Sequence, residues 1–259
     1  MAAVKRFIAL EIQARLEVGE QVKDYKDKLK TNVSELSANV KFHENFTNFN
    51  PAKCKAAEMI PQYSAQHPSH PEQKFCGVPQ ILDVRECDGA KCLYIETTEK
   101  PRNKRRGFLL AESIELEGEL AVEVKVKPID GMDNAFELWL LGDTDDNLCF
   151  ALNASPNKKF GANTVRNNKY AYAIEGSASI LNEWYYLQIQ LKKDKINMAI
   201  LDANRVFVDR RTFNKPAGFG KFDIAFGHSL GPRTKKEYFF KSYIESVIVA
   251  DCGCQDLGD

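Results

Sequence analysis

The stretch ELAVEVKVK, residues 119–127, alternates apolar and polar side chains almost without fault. Leu120, Val122, Val124 and Val126 fall on one face, and Glu119, Glu123, Lys125 and Lys127 fall on the other. Successive side chains of an extended chain point to opposite sides. A period of two therefore reads as a strand with one side in a core and the other in water. Valine suits such a half-buried pleated surface.

The same period recurs on both sides of this stretch. Upstream, Ile81–Arg85 and Cys92–Glu96 form a first pair. Downstream, in FELWLLGDTDDNLCFALN (136–153), the runs Phe136–Leu141 and Leu148–Leu152 flank Gly142–Asn147, a hairpin loop by composition. Lys169–Ile174 follows, and then NEWYYLQIQLKKDKINMAILDANRVFVDRR (182–211) supplies Trp184–Leu191, Lys195–Leu201 and Arg205–Arg210. Lys221–Phe226 and Phe239–Ala250 close the set. About ten or eleven strands with short turns and no internal helix predict a mainly β chain, an antiparallel sandwich over 81–252, with 253–259 as a tail.

The N-terminal part has a different period. Val18, Val22, Tyr25, Leu29, Val33, Leu36 and Val40 recur every three or four residues, with mixed charges such as Glu20, Lys23, Asp24 and Lys30 between them. This predicts a long amphipathic α-helix over 1–45. At 1.5 Å per residue it would run about 60 Å, more than a small domain covers. Self-association as a coiled coil is therefore expected, and a helix folded back on the sandwich is the alternative. Residues 46–80 carry prolines at 51, 61, 68, 71 and 79 among Phe46, Phe49, Tyr63 and Phe75. They read as a linker or wrapping segment, partly packed on the next domain.

Thirty-six Lys and Arg balance thirty-six Asp and Glu, so the net charge is zero. Without a net positive charge there is no electrostatic case for nucleic acid as the main partner. No run of 18 apolar residues marks a transmembrane helix. Glu11, Gln13 and Arg15 interrupt the apolar residues of the N-terminus, which spoils a secretory signal core. A cytoplasmic location is expected if the chain is complete, and an extracellular one if it is a mature or excised form. Cys87 and Cys92, two of seven cysteines, flank the turn Asp88–Lys91 and are placed to bridge a hairpin in an oxidising compartment. The basic run Lys100–Arg106 reads as a solvated loop.

Four phrases, GFLLAESIELEGELAVEVKVKP (107–128), FELWLLGDTDDNLCFALN (136–153), the 182–211 meander, and FDIAFGH (222–228) followed by YFFKSYIESVIVADC (238–252), occur in an order that resembles the concanavalin A-like lectin/glucanase superfamily, laminin-G-like domains included. In that superfamily a W-Y-x-L-x-I strand, here Trp184–Ile189, leads a meander, and a Y-I-x-x-V-x-V strand, here Tyr243–Val249, completes a jelly roll. The resemblance implies a jelly-roll sandwich and a carbohydrate or glycoprotein ligand.

Enzymes of the superfamily carry an E-x-D-x-E or E-x-D-x-x-E strand. Glu115-Leu-Glu117-Gly-Glu119 lacks the central aspartate and reads as a solvated face. No other catalytic arrangement is legible, so no enzymatic activity is expected, a glycoside hydrolase being the second alternative. The acidic turn Asp143, Asp145, Asp146 is a candidate Ca²⁺ site, because carboxylates are hard oxygen ligands. Alternation puts Tyr185, Leu187 and Ile189 in the core, leaving Tyr186 and Gln188 opposite, and likewise leaves Glu137 and Trp139 opposite Phe136 and Leu138. Tyr170 and Tyr172 share a face. Glu137, Trp139, Tyr170, Tyr172, Tyr186 and Gln188 are the candidate ligand plate, since a pyranose needs a flat apolar surface and hydrogen-bond partners. The first alternative is a structural or assembly protein that uses the sandwich and the helix for protein–protein contacts, which coverage of these aromatics by residues 1–75 would favour.

Overall fold

The structure, a computed structural model, describes residues 40–55, 78–99, 106–131, 134–142, 146–153, 161–166, 169–170, 181–215, 219–228 and 238–251. Contacts divide the chain into a unit Lys41–Cys252 and a unit made of Met1–Val40 and Gly253–Asp259. Apart from Val40, the second unit lies outside the described residues, and with it the expected helix up to residue 39 and the 253–259 tail. Val40–Glu44 is a strand, so these five residues of the helix expected over 1–45 are extended instead.

Fourteen strands are described: β1 (Val40–Glu44), β2 (Ile81–Cys87), β3 (Ala90–Glu99), β4 (Arg106–Glu115), β5 (Leu120–Gly131), β6 (Asn134–Gly142), β7 (Asp146–Asn153), β8 (Gly161–Arg166), β9 (Lys169–Tyr170), β10 (Tyr185–Leu191), β11 (Lys195–Asp202), β12 (Phe207–Asn214), β13 (Lys221–His228) and β14 (Tyr238–Asp251). They form two antiparallel sheets. The eight-stranded sheet has the order β12-β11-β10-β5-β14-β3-β2, with β1 also paired to β14. The six-stranded sheet has the order β4-β13-β6-β7-β8-β9.

The core lies between the sheets and follows the alternation. From the larger sheet come Leu120, Val122, Val124 and Val126 of β5, Tyr185, Leu187, Ile189 and Leu191 of β10, and Val247 and Val249 of β14. From the smaller come Phe136, Leu138 and Leu140 of β6, Leu148 and Phe150 of β7, and Phe222, Ile224 and Phe226 of β13. Phe226 lies between Phe108 and Phe136, with ring centroids 5.7 and 5.3 Å away. The wrapping segment joins this core where it is described: Phe46 is fully buried, and Phe49 meets it edge-on at 5.2 Å.

Two local devices set the geometry. The β2–β3 hairpin turns through Asp88 (φ 51°) and Gly89 (φ 82°), both left-handed, the pairing that two-residue hairpins favour. In β4, Ser113 has φ 63° beside register shifts against β13, and its N–H donates to Asp223 Oδ1 at 2.7 Å. The backbone of β4 therefore bulges while remaining paired.

Candidate functional site

The expected plate is divided between the two outer faces of the sandwich. Because β6 and β10 each send their core residues inward, their alternate residues point away from the core on opposite sides. Glu137 and Trp139 face outward from the six-stranded sheet, and Tyr186 and Gln188 from the eight-stranded sheet. One ligand cannot touch both pairs.

On the six-stranded sheet, Trp139 Nε1 donates to Glu137 Oε2 at 3.1 Å. Both side chains are 1 % exposed, so the indole offers no open face on which a sugar ring could stack. The neighbours of Glu137 are small. The register sets Gly227 and Ala151 on either side of it, with Gly107 beyond Gly227 and Gly161 beyond Ala151. The next row places Ala225 and Cys149 beside Trp139. The carboxylate thus stands in a row with almost no side-chain bulk.

Two outward carboxylates are described on β6 and β13: Glu137, opposite Gly227, and Asp223, opposite Leu141. Four ladder positions separate them, about 13 Å at 3.3 Å per residue. That exceeds both the roughly 5–5.5 Å of retaining and the roughly 6.5–9.5 Å of inverting glycosidases. Glu115 and Glu117 do not form a catalytic strand either. Glu115 ends β4 and pairs with Lys221 at 3.5 Å, whereas Glu117, beyond the strand, pairs with Lys41 at 3.3 Å.

On the eight-stranded sheet, Tyr186 and Gln188 are half-buried and already engaged. The Arg205 guanidinium lies 4.0 Å from the centroid of the Tyr186 ring. It also grips Glu123 with two hydrogen bonds, Nη1 to Oε2 at 2.9 Å and Nη2 to Oε1 at 2.7 Å. Gln188 Nε2 donates to the same Oε2 at 2.6 Å. Arg205 reaches them from the β11–β12 turn, where it has φ 63° and where Asp202 Oδ1 accepts from the N–H groups of Asn204 and Val206. A second group lies one row along. Asp88 Oδ2 accepts from Lys127 Nζ and from Trp184 Nε1, both at 2.8 Å. The Lys127 contact, and after it that of Trp184, holds the Asp88 carboxyl below the ordinary range. This face is a network of satisfied pairs.

Arg205→Met keeps the stem but leaves Glu123, 18 % exposed, without its main partner. The expected cost is about 1–3 kcal/mol, between the values for surface and for buried pairs. Urea unfolding of the variant measures it, and no shift in the midpoint would show the pair to be worth nothing.

Of the other candidates, Tyr170 ends β9 opposite Val165 in the six-stranded sheet, while Tyr172, Asp143 and Asp145 lie outside the described residues. Asp146 opens β7 opposite Arg166. Among the described residues no three potential metal ligands cluster, and no helix is long and apolar enough to cross a membrane. Sequence reasoning missed Arg205 and the glycines at 107 and 227. A turn arginine and isolated glycines carry no periodic signal.

No protein-family model and no curated protein matches the chain. Solved structures do match it in shape. A structure described with endo-acting O-glycanases of the human gut microbiota that initiate mucin breakdown superposes with a TM-score of 0.56 at 12 % identity, over 83 % of this chain and all of the other. The β-glucanase of Bacillus licheniformis gives 0.51 at 12 % identity, over 82 % and 98 %. The GlcNAcα1-4Gal-releasing endo-β-galactosidase of Clostridium perfringens gives 0.53 at 10 % identity, over 82 % of this chain and 62 % of its own. With two antiparallel sheets in this order and matches over more than four-fifths of its length, the chain has the concanavalin A-like lectin/glucanase fold.

Proposed function

We propose that this protein is a non-catalytic carbohydrate-binding module, with Glu137 and the small residues around it as the floor of the ligand site and the N-terminal helix as the means of multivalent display. The observation that carries the reading is the buried carboxylate on an outward sheet face. Glu137 is 1 % exposed on that face, where the Trp139 indole donates to it, and a polar group of this kind fixes the orientation of a bound sugar. No bulky side chain shares the row of Glu137, and a carboxylate accepts hydrogen bonds from hydroxyl groups. The roughly 13 Å between Glu137 and Asp223 favours binding over hydrolysis. The names of the three similar structures all concern glycans, which supports that ligand class.

The test is a glycan array probed with the parent chain and with Glu137→Gln. Glutamine keeps an oxygen to accept from the Trp139 indole, so the fold is retained. Binding to a defined glycan is expected, weakened tenfold or more by the substitution, about 1.4 kcal/mol. A folded parent chain that binds no glycan overturns the reading. Equal binding by both forms removes the ligand from this face. Release of new reducing ends replaces binding with hydrolysis.

A further inference from the structure

The closed end of the β2–β3 hairpin carries two free thiols on one outward face of the eight-stranded sheet. Cys87 is opposite Ala90, and Cys92 is opposite Arg85, two positions out of register. The Cys92 side chain nevertheless reaches across to the backbone of Cys87. The Cys92 thiol donates to the carbonyl oxygens of Ala90 at 3.7 Å and of Cys87 at 3.9 Å. Cys87 is half-buried, whereas Cys92 is fully buried.

Diagonal partners on adjacent strands sit about 7–8 Å apart. A relaxed disulfide joins Cα atoms about 5.5–6 Å apart. Closing this pair must therefore draw the end of the hairpin out of its present geometry. The residue next to Cys87 is Asp88, which has φ 51° and whose Oδ2 holds both Lys127 and Trp184. Movement there is felt first by that carboxylate.

We propose that Cys87 and Cys92 form a thiol-modification site which a low-molecular-weight disulfide, such as oxidised glutathione, closes into a bond across the hairpin, and that closure takes Asp88 away from Trp184. The Cys87 thiolate attacks one sulfur of the reagent, forming a mixed disulfide and expelling one reagent thiolate. The Cys92 thiolate then attacks the Cys87 sulfur and expels the second. Two protein thiols are oxidised, one reagent disulfide is reduced to two thiols, and the two protein protons end on those thiols. Burial pushes the Cys92 thiol up to about 12, and burial together with Asp88 raises Cys87. The exchange is accordingly slow at neutral pH and accelerates as the solution becomes alkaline, because only the thiolate reacts.

The full chain is incubated with oxidised glutathione in mildly alkaline buffer and digested with trypsin without reduction. Cleavage after Lys91, between the two cysteines, makes the new bond visible as a pair of joined peptides. The joined pair is expected to form on the same time course as a shift in indole fluorescence, and both reverse with dithiothreitol. Cys87→Ser abolishes both. Trp184→Phe keeps the joined peptides but loses the fluorescence shift, because the other tryptophan, Trp139, is buried in the opposite sheet. A stable glutathione adduct on Cys87 without joined peptides overturns the site. Joined peptides with unchanged fluorescence in the parent chain overturn the link to Trp184.

Discussion

Trp139→Ala lowers the stability of the folded chain by about 3–5 kcal/mol, the usual cost of removing a fully buried tryptophan. The side chain is 1 % exposed, and its indole N–H serves the Glu137 carboxylate. The substitution therefore opens a cavity and also takes a hydrogen bond from a buried charge, which adds to the cost. For a domain of this size each kcal/mol moves the melting temperature by about 2–4 °C, so a fall of roughly 6–20 °C is expected. Trp139→Phe fills most of the space but has no N–H to give, and its loss should be intermediate. A melting temperature unchanged by the alanine substitution would mean that Trp139 is not part of the packed structure. The same arithmetic makes Trp139→Ala a poor probe of ligand binding, since lost binding would report a damaged fold. Glu137→Gln separates the two.

Phe226→Ala is expected to cost about 3–5 kcal/mol, for a purely apolar reason. β13 lies between β4 and β6, and the Phe226 ring fills the space between Phe108 and Phe136. Removing it withdraws ring contacts from both neighbouring strands at once. Phe226→Leu keeps part of the volume and should cost less. Guanidinium unfolding reads both, as a lower midpoint at unchanged slope. A loss below 1 kcal/mol for alanine would show that the smaller sheet collapses easily around the gap.

How far each feature was legible depends on whether its cause is local. The strand at 120–127 was readable because alternation is local and uninterrupted, and its inward valines are all in the core. β4 went unread as a strand because its bulges and left-handed Ser113 break the period of two. β8, Gly-Ala-Asn-Thr-Val-Arg, has too few apolar residues to show a period. Of the candidate site, the direction of each side chain was legible and the sheet that carries it was not. Alternation correctly turned Glu137, Trp139, Tyr186 and Gln188 away from the core, but it cannot say from which sheet. That depends on pairing between distant segments: β6 joins β13 and β7, while β10 joins β5 and β11. The Arg205 contacts depend on a turn whose backbone is held by Asp202, and on Glu123, far away in sequence.

The position of β14 bears on how the chain is made. Tyr238–Asp251 lies between β5 and β3, with Val247 opposite Val124 and Tyr243 opposite Tyr94. During synthesis those partners leave the ribosome long before the strand that joins them. Until residue 251 has emerged, the nascent larger sheet is split, and β5 and β3 each keep an unsatisfied edge. Such edges recruit other chains as readily as the correct strand. This topology concentrates the hazard of misassembly in the interval before β14 is delivered.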